Sequence, residues 1–356
     1  MKIAVEEAKK GMGFVNPNPM VGAVIVKNDK IISKDYHHKY GEFHAERNAI
    51  LNCKEDLTGA EIYVTLEPCC HQGQTPPCTQ AIIDSKIKKV YIGSDDPNPL
   101  VAGKGIEILR SHGIEVITGV LKEECDKLNR AFFHYITTKT PYVVMKYAMT
   151  ADGKIASYTG KSQWISNKQS RLNVQKTRLR YSGIMLGINT VLDDDPRLTC
   201  RIENGRNPVR VICDSTLKIP LNSIIMTTAR EVPTIIACTE KAGDKKARFF
   251  ERLGTEVIVT KSDSDQVNLK ELMTKLGEKG IDSILLEGGS ELNFSAMQSG
   301  IVNRIQAYIA PKILGGGTAA SPVCGLGFDS PDNAVKLGAP EISRFGDDVL
   351  IEWEVL

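Results

Sequence analysis

The chain lacks the features that mark membrane, exported and nucleic-acid-binding proteins. Its longest apolar runs, such as residues 21–26, fall far short of the roughly 20 residues that a membrane helix needs. Glu6 and Glu7 stand where a signal peptide would have its apolar region. The net charge is only +2 at pH 7, so the basic excess of a DNA or RNA binder is missing. We therefore expect a cytoplasmic protein with no membrane and no nucleic-acid partner.

Cysteine usage argues against a disulfide framework. The chain has nine cysteines, an odd number, and four of them occur early: Cys53, Cys69, Cys70 and Cys78. A disulfide-stapled fold is not expected in a chain of this length without an export signal. Free cysteine is among the most buried residue types, so the scattered ones are interpreted as core residues. They are Cys125, Cys200, Cys213, Cys238 and Cys324.

Length and composition indicate two globular domains. The chain has 356 residues, of which 42% are hydrophobic and 25% charged, both ordinary for globular protein. A long helix is predicted over 121–135, and residues 137–141 after it are interpreted as a linker. The predicted domains are therefore 1–139 and 140–356. A hairpin is predicted across Asn28-Asp29 in the first part, and a helix over 168–180 and a strand over 283–286 in the second. Strands alternate with helices in both parts, which is typical of layered α/β domains.

One motif in the first domain has the composition of a metal site. His44-Ala45-Glu46 begins a helix predicted over 44–53, and Cys69 and Cys78 follow a strand predicted over 61–66. One imidazole and two thiols are ligands that suit a single catalytic zinc ion with its fourth position left for water. Glu46 is then free to move the proton of that water, because zinc brings the pKa of bound water toward neutrality.

The same residues allow other interpretations. A structural zinc site would need four protein ligands, and Cys70 or His71 could supply the fourth. Cys70 could also replace Cys69 as the ligand. At the level of function, the alternatives are a deaminase of nucleic acid or nucleosides with an unrelated C-terminal domain, and a scaffold protein with structural zinc.

The order His-x-Glu, Pro-Cys and a further Cys is that of the zinc deaminases of nucleobases. The wide gap between Cys69 and Cys78, filled by His-x-Gly-x-Thr-Pro-Pro, resembles the RibD family, in which a pyrimidine deaminase is fused to a reductase. The resemblance implies a cytidine-deaminase-like three-layer α/β fold, with Cys69 rather than Cys70 as the ligand. The chain departs from the family at Cys70, usually a small polar residue, and at Gln74, often a basic one.

The second domain has no Gly-x-Gly-x-x-Gly after its first strand, so a Rossmann dinucleotide site is not indicated. It has instead a set of short motifs around Lys146, residues 162–166, residues 187–199 and residues 287–289. Each alone is typical of a turn. Together, and in this order, they resemble the RibD reductase domain, which implies a dihydrofolate-reductase-like fold. The two resemblances cover nearly the whole chain.

The family resemblance also implies residue roles. The pyrimidine substrate would be contacted by Asn18, His37 and His71, and the Asn18 amide can both donate to and accept from the ring. The sugar being reduced would be surrounded by Lys146, Asp194 and Glu287. The substrate and its phosphate would be held by Ser162, Arg178, Arg201 and the backbone near Leu198. The cofactor, expected to be NADPH, would be lined by Ala148, Trp164, Ser166, Thr190, Asp194, Ser215, Gly288 and Gly289.

The resemblance thus implies a bifunctional enzyme of riboflavin biosynthesis. Zinc-dependent deamination of a diaminopyrimidinone ribosyl phosphate would be followed by NADPH-dependent reduction of the ribosyl group to ribityl. Glu46 is the expected acid and base of the first reaction, and Lys146 is the candidate proton donor or electrostatic stabiliser of the second. The expected partners are small-molecule pyrimidine ribosyl phosphates, and we also expect a homo-oligomer. The residues 315–317, all glycine, are interpreted as a loop that closes over the cofactor.

Overall fold

The computed structural model describes residues 1–73 and 75–356 and divides into two compact units, Met1–Lys139 and Thr140–Leu356. Gln74, where the chain departs from the family pattern, lies outside the described residues. In the described part of the chain, no helix combines the length and the apolar character needed to cross a bilayer.

The first unit is an α/β layer structure. Its strands are β1 Gly22–Lys27, β2 Lys30–Tyr36, β3 Glu61–Leu66, β4 Lys89–Ser94 and β5 Glu115–Ile117. Its helices are α1 Lys2–Lys9, α2 Ala45–Asn52, α3 Cys78–Asp84, α4 Lys104–Ser111, α5 Lys122–Leu128 and α6 Arg130–Thr138. The five strands form one sheet in the order β2-β1-β3-β4-β5. β1 is antiparallel to β2 and β3, and β3, β4 and β5 are parallel.

Apolar side chains point to both faces of the sheet, and each face is covered by helices. Ile62 and Val64 of β3 face one buried core together with Ala45 and Ala49 of α2. A second core on the α1 and α5 side contains Val5 and Cys125, among others. Helices on both faces of one sheet make the three-layer arrangement that was predicted. Cys125 is buried, as expected of a core residue, whereas that prediction is wrong for Cys324, which is exposed.

The prediction of one long helix over 121–135 is wrong. The chain forms α5 and α6 instead, interrupted at Asn129, whose φ of −117° and ψ of 21° are not helical. The Asn129 side chain accepts a hydrogen bond from the Met20 N–H at 2.8 Å and donates to the Met20 carbonyl at 3.0 Å. Asn129 thereby satisfies both backbone groups of a buried residue far away in the chain. Residues 137–138, expected in the linker, belong to α6.

The second unit contains one large sheet. Its strands include β6 Tyr142–Thr150, β7 Gly183–Gly187, β8 Val209–Cys213, β9 Thr234–Thr239, β10 Glu256–Thr260, β11 Ser262–Asp263, β12 Gln266–Val267, β13 Ser283–Leu286, β14 Val302–Ala310, β15 Glu341–Phe345 and β16 Asp348–Glu354. Its helices include α7 Lys168–Arg180, α8 Ile188–Asp194, α9 Ile224–Thr227, α10 Asp244–Arg252, α11 Leu269–Glu278 and α12 Ser290–Gln298. The helices α8, α9 and α10 were not predicted.

Parallel pairing brings distant loops to one edge of this sheet. Nine of the eleven strands form the large sheet, in the order β10-β9-β8-β7-β13-β6-β14-β16-β15, and all neighbours from β10 to β14 are parallel. β11 and β12 form a separate antiparallel pair. β16 and β15 are antiparallel additions at one side. The carboxyl ends of parallel strands share one edge, where ligands bind in open α/β sheets. The segments after β7, β8 and β13 therefore converge there.

Candidate active sites

Three predicted ligands lie together in the first unit. His44 is the N-cap of α2, Cys78 is the first residue of α3, and Cys69 follows the end of β3. The His44 Nδ1 lies 3.4 Å from the Cys69 Sγ and 3.5 Å from the Cys78 Sγ. All three ligand atoms are within 4.8 Å of one another. Zinc bonds of about 2.0–2.3 Å to nitrogen and sulfur require ligand separations of this size.

The electrostatics of this group also fit a zinc ion. A hydrogen bond with Cys78 and the neighbouring His44 lower the pKa of Cys69 to about 4, which makes it a thiolate at neutral pH. The Cys78 N–H also donates to the Cys69 Sγ at 3.4 Å. Zinc binds thiolates rather than thiols, so one anionic ligand is present before the metal arrives.

Glu46, in the first turn of α2, carries a buried carboxyl that interacts with His44, Cys69 and Cys78. Its side chain is buried, and its Oε2 has no hydrogen-bond partner among the described residues. Burial raises the pKa of Glu46 to about 7. A buried polar atom without a partner is costly and in a native protein calls for a ligand or a catalytic role. A carboxyl that titrates near neutral pH can both accept and return a proton.

The neighbours of Cys69 stand apart from the ligand group. The Cys70 Sγ donates to the Leu100 carbonyl at 3.7 Å and is not among the described atoms that could share a metal. His71 is also outside that group, and its Nδ1 has no partner in the described part of the chain. Three protein ligands leave one position of a tetrahedral ion free, as a catalytic zinc requires.

Asn18 and His37 meet beside this group. The His37 Nδ1 lies 3.0 Å from the Phe43 carbonyl and donates to it, and the His37 Nε2 lies 3.4 Å from the Asn18 Nδ2. Burial lowers the pKa of His37 to about 4, so the ring is neutral at pH 7. The His37 and His44 rings are 5.3 Å apart in an edge contact. A neutral His37 fixed at Nδ1 orients the Asn18 amide.

The second unit carries a buried cluster of three charges. Arg178 of α7 binds Glu287 through two hydrogen bonds of 2.7 and 2.9 Å, and the Lys146 Nζ of β6 lies 3.9 Å from the Glu287 Oε2. Burial alone would raise the pKa of Glu287, but Arg178 and Lys146 outweigh it and hold it at about 2. Burial lowers the pKa of Lys146. The cluster combines a fixed anion with an ammonium group that is not tied to it by a short hydrogen bond.

Other predicted substrate residues lie at two places in the second unit. The Ser162 Oγ donates to the Asp194 Oδ1 at 3.3 Å, and both residues are exposed or nearly so. Arg178 also donates to the Thr199 carbonyl at 3.0 Å, which ties the segment of Leu198 to the charged cluster. Arg201 contributes to the low pKa of Glu287, although less than Arg178 and Lys146 do.

The segment around Trp164 is held by two cations that the sequence analysis missed. Arg171 of α7 stacks 4.5 Å from the Trp164 ring and donates to the Ser166 carbonyl at 2.6 Å. The Lys312 Nζ donates to the carbonyls of Trp164 and Ile165, both at 2.8 Å. Trp164 remains 58% exposed, so its ring is open to a ligand. No local sequence pattern links Arg171 or Lys312 to this segment.

The remaining predicted cofactor residues are spread along the carboxyl edge of the sheet. Gly289, with φ +65°, is the N-cap of α12, and an added Cβ there would lie 3.1 Å from the Thr190 Oγ1. The Ser215 carbonyl, after β8, accepts hydrogen bonds from the N–H and the hydroxyl of Thr239. Ala148 lies within β6 and packs near Tyr308. Two glycines at a helix N-terminus form a cradle that suits a pyrophosphate.

Comparison with known proteins decides the family. The RibD C-terminal domain model matches residues 141–351, and that of the cytidine and deoxycytidylate deaminase zinc-binding region matches residues 1–94. The chain is 55% identical to the riboflavin biosynthesis protein RibD of Actinobacillus pleuropneumoniae, over 100% of this chain and 94% of that protein. The chain belongs to the RibD family. It is also 43% identical to RibD of Aquifex aeolicus, over 99% and 96% of the two chains.

Solved structures agree with this assignment over the full length. The RibD of Acinetobacter baumannii has a TM-score of 0.88 at 33% identity and covers 100% of this chain and 97% of its own. A deaminase and reductase from Thermotoga maritima has a TM-score of 0.87 at 40% identity with the same coverage. The predicted fold class, with a cytidine-deaminase-like domain and a RibD reductase domain, is confirmed.

This RibD family member is therefore a bifunctional enzyme of riboflavin biosynthesis, a hydrolase through its deaminase domain and an oxidoreductase through its reductase domain. Its cofactors are zinc and NADPH, as predicted. His44, Cys69 and Cys78 are the described residues that could hold the metal.

Proposed function

We propose that the first unit deaminates a diaminopyrimidinone ribosyl phosphate and that the second unit then reduces its ribosyl group to ribityl with NADPH. The Thermotoga maritima structure is described as a diaminohydroxyphosphoribosylaminopyrimidine deaminase and 5-amino-6-(5-phosphoribosylamino)uracil reductase. The observation that carries the proposal is the buried carboxylate of Glu46, whose Oε2 has no partner among the described residues, beside the group of His44, Cys69 and Cys78.

In deamination, His44, Cys69 and Cys78 would hold the zinc ion, which would act as a Lewis acid and bring the pKa of water toward neutrality. Glu46 takes up one proton from the water and later delivers a proton to the departing amine, so water and the amino group become a ring carbonyl and ammonia. Asn18, oriented by His37, hydrogen-bonds the pyrimidine edge, since its amide both donates and accepts. His71 contacts the same substrate, and its Nδ1 has no partner among the described residues.

In reduction, NADPH supplies the hydride, and the chain aligns the reactants and stabilises charge. Lys146 provides a proton or a positive charge where the sugar ring opens, and Glu287 with Asp194 surrounds the sugar. The substrate and its phosphate are held by Ser162, Arg178, Arg201 and the backbone at Leu198. The NADPH site is formed by Ala148, Trp164, Ser166, Thr190, Asp194, Ser215, Gly288 and Gly289. Arg178 is well suited to bidentate contacts with an anion, as its two bonds to Glu287 illustrate.

The partners, the location and the oligomeric state are proposals as well. The partners are small-molecule pyrimidine ribosyl phosphates, and we propose a cytoplasmic homo-oligomer that binds no nucleic acid. The net charge of +2 supports the last point, because binding to a polyanion depends on a clear excess of basic residues.

A coupled assay tests the function directly. The zinc-loaded protein is incubated with the diaminopyrimidinone ribosyl phosphate, and ammonia release is followed with and without NADPH, together with NADPH oxidation. We expect ammonia without NADPH and NADPH consumption once it is added. If neither appears with zinc bound, the proposed substrate is wrong. NADPH consumption only with a deaminated substrate would mean that the deaminase is inactive.

Removal of zinc should separate the two activities. Dialysis against a chelator is expected to abolish ammonia release, because water then has no Lewis acid to lower its pKa. NADPH oxidation with pre-deaminated substrate should stay at the level of the untreated protein, and added zinc should restore ammonia release. An equal loss of both activities on chelation would show that zinc stabilises the whole protein rather than serving one reaction.

Gly288→Ala should weaken NADPH binding. A Cβ at Gly288 would lie 2.5 Å from the Leu186 Cβ of β7, so the turn that leads into α12 must move. A displacement of this kind is expected to raise the KM for NADPH roughly tenfold or more, because misplacement by about 1 Å can cost 10²-fold. Gly338→Ala is the matched control, since its nearest contact, at 3.6 Å, is an ordinary one. A wild-type KM in Gly288→Ala would remove this turn from the cofactor site.

A further inference from the structure

The carboxylate of Glu67 is buried and fully engaged by backbone groups. Glu67 directly follows β3 and precedes Pro68-Cys69. Its Oε2 accepts a hydrogen bond from the Gly103 N–H at 3.0 Å, and its Oε1 accepts from the N–H groups of Gly105 and Ile106 at 3.1 and 3.4 Å. These donors belong to the start of α4, where a helix leaves N–H groups without internal partners and favours negative charge.

Helix α4 also packs directly on the backbone next to Cys69. A Cβ at Gly105 would lie 2.3 Å from the Pro68 carbonyl oxygen and 3.2 Å from the Glu67 Oε1. A Cβ atom essentially never lies within 3.0 Å of another non-bonded heavy atom. A side chain at Gly105 would therefore force the segment of Pro68 or the helix to move. The absence of a side chain at Gly105 therefore sets how closely α4 approaches the residue before a predicted zinc ligand.

Cys69 is fixed from its other side by α3. The Thr79 N–H donates to the Cys69 carbonyl at 3.2 Å, and the Cys78 N–H donates to the Cys69 Sγ at 3.4 Å. The segment that carries Cys69 thus lies between two helix starts. The start of α3 holds Cys69 itself, and the start of α4 holds the chain two residues earlier, through Glu67.

We propose that Glu67 is a positioning residue of the zinc site, which places the Cys69 thiolate without touching the metal. Glu67 anchors the end of β3 to α4. This anchor restricts the direction in which the Pro68-Cys69 segment leaves the strand. The inference rests on the proposed zinc role of Cys69. It goes beyond that role, because it makes metal retention depend on a contact with a helix that contributes no ligand.

The test measures zinc binding rather than activity. Full-length Glu67→Gln keeps the size of the side chain but has a single acceptor oxygen, and Glu67→Ala has none. Zinc affinity and release rate are measured by competition with a chromophoric chelator. We expect Glu67→Gln to bind zinc roughly 10–100-fold more weakly, the range for residues that orient metal ligands, and Glu67→Ala to lose more. Gly105→Ala, which keeps the carboxylate and displaces the same segment, should weaken zinc binding in the same direction.

Glu7→Gln is the matched control for general destabilisation. Glu7 of α1 is an equally buried carboxylate of the same unit, paired with Lys10 and Lys34. Glu7→Gln is expected to lower the thermal unfolding midpoint but to keep the zinc affinity of the wild type. The inference is overturned if Glu67→Gln retains wild-type affinity, or if Glu7→Gln weakens zinc binding as much. Failure of the wild type itself to bind zinc would refute the proposed zinc role as well, so the two failures can be told apart.

Discussion

Glu46→Gln is expected to abolish deamination while reduction continues at the wild-type rate. Glutamine has the size of glutamate but cannot take a proton from water, so the rate of ammonia release should fall by roughly 10²–10⁴-fold. The structure supports a large effect, because the Glu46 carboxylate is buried and one of its oxygens has no partner among the described residues. Ammonia release and NADPH oxidation with pre-deaminated substrate are measured on the same preparation.

The zinc content of Glu46→Gln is the control that separates loss of proton transfer from loss of the metal. Glu46 is not part of the predicted ligand group, so Glu46→Gln should bind zinc as the wild type does. Glu7→Gln, which changes another buried carboxylate of the same unit, should retain ammonia release. If Glu46→Gln keeps the wild-type rate, another acid moves the proton. Asp96 would then be the next candidate, since its buried carboxyl interacts electrostatically with Cys69 and burial raises its pKa to about 6.

Lys146→Ala should have the opposite effect and remove reduction while sparing deamination. The Lys146 ammonium is the part of the buried cluster that is not tied by a short hydrogen bond, at 3.9 Å from Glu287, whereas Arg178 is bound to that carboxylate twice. Loss of a fixed donor at a site of developing charge typically costs about 10²–10³-fold in rate. We expect a fall of this size in NADPH oxidation, with ammonia release unchanged.

Two controls distinguish a catalytic effect of Lys146→Ala from a loss of folding. Lys275→Ala removes a partly exposed lysine of α11 that pairs with Glu271 and should leave both activities unchanged. A thermal unfolding measurement on Lys146→Ala reports whether the uncompensated Glu287 and Arg178 pair is still held. An equal loss of ammonia release and NADPH oxidation in Lys146→Ala would refute the assignment of the two reactions to separate sites.

Much of the fold follows from local patterns in the sequence. The hairpin of β1 and β2 was predicted across Asn28-Asp29, and both residues have the positive φ, 50° and 59°, that a tight hairpin turn requires. Helix α7, Lys168–Arg180, and strand β13, Ser283–Leu286, have the predicted bounds. The helices α8 and α9 were missed because seven and four residues give too few turns to show a clear apolar period, whereas α10 was missed although its nine residues are amphipathic.

A side-chain contact between distant segments explains why the prediction of one long helix over 121–135 was wrong. The break between α5 and α6 depends on Asn129 pairing with both backbone groups of Met20, and Met20 is far from Asn129 in the sequence. Asparagine is unremarkable within a helical pattern, so only the partner shows why the helix stops there. In the same way, nothing near Trp164 indicates that Lys312 holds the carbonyls of its segment.

Residue types and their order indicate the chemistry of this protein. His44 and Glu46, then Cys69 after a proline, then Cys78, follow the order found in the zinc deaminases of nucleobases. How these groups are held follows only from the folded unit. The Glu67 carboxylate at the start of α4 and the bare Gly105 beside Pro68 act through space, between segments that meet only when the sheet has formed. Residue identity is local information, whereas the orientation of a ligand depends on packing from the whole unit.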